Sequence, residues 1–208
     1  MKRRLFKYNA PDNGSVIFKN KKNIYLLAFF VSIIFIAIHY FLSKTYPNDF
    51  SIYIDAIFIA SIFLFDFFTP EHLIPKTLTV PVFIYGVLIH IRHPLFFIAP
   101  ALYGALTLFL FTMAHFGMGD VKAMFAISVL LPNTAFSFFY VFTFLWVAVI
   151  NGFLLIKKRR VGELKKVFLA FAGVTEFDGA EGFIPFSIYI ALGYITLIVV
   201  NFIYPVWR

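Results

Sequence analysis

The sequence predicts an all-α, polytopic membrane protein with about seven transmembrane helices, and three observations carry that prediction. Of 208 residues, 62% are hydrophobic, 21% aromatic and only 13% charged, whereas soluble domains carry about 25% charged residues. Apolar stretches follow one another from residue 24 to residue 204, most of them near the roughly 20 residues a helix needs to cross a hydrocarbon core. The basic residues flank these stretches and, once the connections are assigned to alternate sides, gather on one side. At this length the spans leave no room for a second folded domain.

Residues 1–23 form a polar, basic tail. The apolar run at 24–42 is too long for the core of a cleaved signal peptide and has no small-residue cleavage pattern behind it, so it is expected to stay as an anchor. Further spans are expected at 52–68, 77–92, 95–114, 120–132, 134–156 and 183–204. The one at 120–132 is short for a crossing, and Pro132-Asn133 separates it from the next. Those two segments therefore form either two spans or a bent, re-entrant hairpin buried in protein.

With the amino terminus in the cytoplasm, the inner connections are 1–23, 69–77, 115–122 and 157–182. They hold 15 of the 18 Lys and Arg residues, leaving Lys44, Arg92 and Arg208 outside, as the positive-inside rule requires. In the last of them Val161, Leu164, Val167, Phe168 and Phe171 recur at helical spacing, the pattern of an amphipathic helix lying on the membrane surface.

Several function classes drop out. The net charge of +8 has a topological meaning here, so no nucleic-acid partner is expected. The chain has no cysteine, which removes thiolate nucleophiles, disulfides and cysteine zinc sites. His39, His72, His90, His93 and His115 fall on both sides of the membrane without an i, i+4 pair, so neither a metal site nor another cofactor is expected.

Ionisable groups in or beside spans are costly, about 2.5–3.5 kcal/mol each on insertion scales, and are functional candidates for that reason. Asp55 lies near the outer end of the second span and reads as interfacial or paired. Asp66 and Asp120 both fall at the inner boundary. Two carboxylates at one depth are what aspartyl proteolysis needs, one acting as base toward a water and the other as acid toward the scissile carbonyl, with no metal or side-chain nucleophile. Asp120 sits in Gly117-Met118-Gly119-Asp120-Val121-Lys122, where the glycines permit a tight turn and close approach of a substrate strand. A helix starting there favours a negatively charged side chain in its first turn. Asp120 is accordingly expected to be the base and Asp66 the holder of the proton. Lys122 either orients carbonyl or anionic groups near Asp120 or anchors the connection on its side.

The string at 117–122 resembles the second catalytic motif of the type IV prepilin peptidases and archaeal preflagellin peptidases, which are GxGD intramembrane aspartyl proteases. Ile74-Pro75-Lys76-Thr77-Leu78-Thr79-Val80-Pro81 is similar to the family's Ile-Pro-Asn-x-Leu-Thr-x-Pro loop, and Ile184-Pro185-Phe186-Ser187 resembles the segment opening its last helix. The resemblance spans about residues 52–204. It implies a six-helix catalytic core there, preceded by an additional helix at 24–42, with cleavage of type IV pilin-like precursors at the cytoplasmic boundary. The cysteine zinc-binding domain of the long bacterial enzymes has no counterpart. The family places its first aspartate about seven residues before the motif proline, whereas Asp66 lies nine before Pro75. Matching it requires about two extra residues in the loop, and Glu71 is the other nearby acid. A proton or cation path through the same carboxylates, and a non-catalytic homologue, are the competing readings.

Overall fold

The computed structural model describes residues 20–45, 51–69, 74–114, 118–157 and 186–204. They form seven α-helices: α1 (Lys21–Thr45), α2 (Ser51–Phe68), α3 (Lys76–His90), α4 (Ile98–Ala114), α5 (Met118–Ser128), α6 (Asn133–Lys157) and α7 (Phe186–Ile203). A single 3-10 turn, Pro94–Phe97, leads into α4. Helices α1, α6 and α7 each contain a stretch long and apolar enough to cross a membrane. Large apolar side chains such as Phe41, Leu102, Phe153 and Phe202 stand on the exposed surface, as expected of a membrane protein with lipid as its solvent.

The expected segments reappear with two physical differences. The run at 95–114 divides, because Pro94 opens a 3-10 turn before the α-helix takes over at Ile98. The fifth segment starts two residues earlier than expected and ends at Ser128, where the Leu130 and Leu131 amides both turn back to the carbonyl of Ile127. Its 11 residues reach only about 16 Å at 1.5 Å per residue, roughly half a hydrocarbon core. It is covered on almost every side: Val121, Ala123, Met124, Ala126 and Ile127 are all buried. A short helix of this kind lies inside the bundle.

The helices close into a ring in which α1 packs on α2 and α3, α2 on α7, α7 on α6, α6 on α4, α4 on α5, and α5 on α3. Contacts fix their directions. The Thr77 hydroxyl donates to the carbonyl of Tyr25 at 2.8 Å and His39 meets Tyr85, so α1 and α3 run parallel. Gly119 lies against Ile74 and Gly86 against Val129, so α3 and α5 are parallel too. Asn133 opens α6 beside the start of α4, its amide donating to the Leu95 carbonyl at 2.7 Å and its Oδ1 accepting from the Ala99 amide at 3.2 Å. The Tyr189 hydroxyl donates to Asn151 Oδ1 at 3.2 Å, which sets α7 antiparallel to α6. Consequently the starts of α1, α3, α5 and α7 and the ends of α2, α4 and α6 share one end of the bundle, hereafter the α5-start end.

Close backbone approach holds α6 to α7. A Cβ at Gly193 would lie 2.9 Å from both the backbone nitrogen and the Cα of Thr143, so only glycine permits this contact. Gly193→Ala is expected to destabilise the fold by about 1–3 kcal/mol, measurable as a lowered unfolding midpoint in detergent. Gly152→Ala, with nothing within 4 Å of the new Cβ, is expected to leave the midpoint nearly unchanged.

Candidate active site

On α2 the buried residues Ile54, Asp55, Phe58, Ile59, Ile62, Phe65 and Asp66 recur every three to four positions, the stripe of one helix face. Both acids of this helix therefore look into the bundle. Asp66 sits in the last turn, which the Thr69 amide closes by donating to the Phe65 carbonyl at 3.1 Å. It is only 2% exposed.

Asp120 occupies the first turn of α5 and is half-buried. Gly119 before it is pressed against the isoleucine of the Ile-Pro turn: a Cβ there would come within 3.3 Å of Ile74 Cβ and 3.4 Å of the Ile74 amide nitrogen. Pro75 is buried and stands in extended conformation at the N-cap of α3, with φ −64° and ψ 135°. Its fixed ring hands the chain into the helix without asking for a backbone donor. The end of α2, the Ile74-Pro75 turn and the start of α5 are thus gathered at one end of the bundle, with Asp66 and Asp120 on the first and last of them. Lys122 projects from α5 as an exposed cation. Gly117, Pro185, Glu71, His72, His115 and the amphipathic stretch at 161–171 lie outside the described residues. Among the described residues no three His, Asp or Glu side chains gather as metal ligands.

A second polar cluster, which the sequence did not reveal, sits toward the opposite end. His39 of α1 and Asp55 of α2 are both buried, with Nε2 3.5 Å from Oδ1. The other ring nitrogen, Nδ1, lies 2.8 Å from the Tyr85 hydroxyl of α3 and 3.2 Å from that of Ser43. When Nε2 carries the ring proton, Nδ1 accepts from Tyr85. Asp55 Oδ1 makes no hydrogen bond among the described residues, but the side chain is buried facing His39 and is not interfacial. The signal available in sequence was the placement of Ser32 and His39, two turns apart on the otherwise apolar α1, which marks its buried face.

A family model described as type IV leader peptidase family matches residues 53–156. That is half of the chain, from α2 nearly to the end of α6, and it includes Asp66, Pro75, Gly117, Gly119, Asp120 and Lys122. No curated protein and no solved structure matches the chain.

Helix α1 lies before the matched region, yet it supplies the imidazole that faces Asp55 within it. Removing one member of a buried polar pair leaves the other without its partner, at a cost of about 1–3 kcal/mol. His39→Leu or Asp55→Leu alone is expected to lower the unfolding midpoint strongly, and the double variant to recover much of the loss. Additive losses in the double variant would show that the two side chains act independently.

Proposed function

This chain belongs to the type IV leader peptidase family, and we propose that it is a membrane-embedded aspartyl endopeptidase that removes the leader of type IV pilin-like precursors at the cytoplasmic face of the cell membrane. The observation that carries this reading is the gathering of the α2 end and the α5 start, each bearing one aspartate, at the same end of the bundle. The described cations support the orientation. Lys21, Lys22, Lys76, Lys122 and Lys157 fall at or near that end, against Lys44 and Arg92 at the other, a bias that by the positive-inside rule supports a cytoplasmic position for the aspartates. The chain would pass from one side of the bilayer to the other seven times, the fifth pass made by the short α5 together with the turn that follows it.

In this mechanism a water sits between the two carboxyl groups. Asp120, in the first turn of a helix whose dipole attracts an anion, takes a proton from the water as its oxygen attacks the scissile carbonyl carbon. Asp66, removed from water where a carboxylate is costly, donates its proton to the carbonyl oxygen. Collapse of the tetrahedral intermediate breaks the C–N bond, and the proton held on Asp120 passes to the leaving amine. Neither a metal nor another cofactor takes part.

A proton or cation path through the bundle fits less well. Between Asp55 and Asp66 the inward stripe of α2 consists of Phe58, Ile59, Ile62 and Phe65, all buried and apolar, which offers no polar route between the two acids along that helix.

The reading is tested in proteoliposomes with a precursor built of a basic leader and an apolar stem. Asp66→Asn and Asp120→Asn are each expected to lower the cleavage rate by about 10²–10⁴-fold. Glu71→Gln is expected to retain activity. Complete processing by both Asp66→Ala and Asp120→Ala would overturn the assignment, and loss confined to the Glu71 variant would move the first acid there.

A further inference from the structure

We propose that the groove between α3 and α5, lined by Thr79, Val80, Phe83, Lys122 and Phe125, is the subsite that receives the first residues of the substrate's apolar stem. This rests on the peptidase reading above and adds to it where the stem lies and in which direction it runs.

Position is the first argument. Helices α3 and α5 are parallel and pass each other at Gly86 and Val129. Thr79 and Lys122, each seven residues before that contact, line the groove together. The groove therefore opens about one turn beyond Asp120 and leads away from the α5-start end, into the depth where a bilayer is apolar. A peptide bond held at Asp120 would place the residues that follow it there.

Shape and chemistry are the second. The groove has a volume of about 290 Å³, at the low end of small-molecule pockets and suited to one or two apolar side chains of a helix laid against it. Its walls are Phe83 and Phe125, edge to face with centroids 6.4 Å apart, and Phe125 is itself set by Gly104, where a Cβ would collide with its ring. Val80 is 43% exposed, so the groove opens sideways to the surrounding lipid, and a membrane-anchored substrate can enter without leaving the bilayer.

Polar groups separate a peptide from an acyl chain as occupant. Thr79 is buried and its hydroxyl has no hydrogen-bond partner among the described residues, a cost that a small adjustment on peptide binding can relieve and a hydrocarbon chain cannot. Lys122 stands exposed at the rim. A cation there repels a basic leader and sends it to the far side of Asp120, leaving the groove to the uncharged stem.

The test places a benzophenone amino acid at Val80, or at the control position Ile195 on the exposed face of α7, in full-length protein reconstituted in vesicles. The probe substrate is a synthetic precursor with a basic leader and an apolar stem of about 20 residues. Illumination is expected to join Val80 to the stem residues just after the leader, and Ile195 only to lipid. Equal capture at both positions, or lipid adducts alone at Val80 while cleavage proceeds, would overturn the groove assignment and leave the peptidase reading standing. As a second measurement, Val80→Trp is expected to raise KM for the full precursor about tenfold or more, the worth of one buried apolar side chain, with kcat little changed. Cleavage of a leader-junction peptide lacking the stem should be unaffected. An equal loss on both substrates would contradict a stem-binding role.

Discussion

The packing of α5 against α3 is the constraint on which the rest of this molecule depends. Helix α5 is too short to cross a bilayer, so its ends and its backbone polar groups have to be held inside protein. Contact at both ends achieves this: Gly119 lies on Ile74 at one end, and Gly86 takes the Val129 side chain and carbonyl at the other, where a Cβ would sit 2.8 Å from the carbonyl oxygen. Because both contacts are made through glycine, the helices meet at backbone distance and their register has little freedom. That register sets the depth of Asp120, the level of Lys122 and the position of the groove beyond it.

The inward stripe of α2 presents the complementary problem, since it carries two acids through an apolar interior. Each is dealt with differently. Asp55 faces an imidazole supplied by α1, which is in turn tied to α3 through Tyr85, so a polar cluster fastens the first helix to the matched core. Asp66 sits at the helix end nearest the loop and the start of α5. The apolar residues between them keep the two environments apart, so the Asp55 cluster can fasten helices without disturbing Asp66.

Much of this architecture is legible from apolar runs alone, because lipid demands nearly continuous hydrophobicity and tolerates charges only near the ends. The segments at 24–42 and 134–156 match α1 and α6 to within three residues. The places of Asp66 at the end of α2 and of Asp120 in the first turn of α5 are also readable, since each is an acid at the edge of a span and the glycines around Asp120 mark a turn. What periodicity could not give was the facing of helices that are apolar all round. That is why His39 as partner of Asp55, and Asn133 as the tie between the α4 and α6 starts, emerged only from the structure. The length of α5 was misjudged for a related reason: Val129, Leu130 and Leu131 continue the apolar run but belong to a turn, where their burial against neighbouring helices keeps them hydrophobic.

The proposal that Asp66 and Asp120 share one site is tested most directly by thiol cross-linking, for which a chain without cysteine is a clean background. Asp66→Cys/Asp120→Cys is compared in membranes with Asp55→Cys/Asp120→Cys, whose first position lies eleven residues back on α2, about 16 Å along the helix. A short bifunctional thiol reagent is expected to join 66 to 120 efficiently and to leave 55 and 120 unlinked. Linking of the second pair, or none of the first when both thiols react singly, would contradict the shared site.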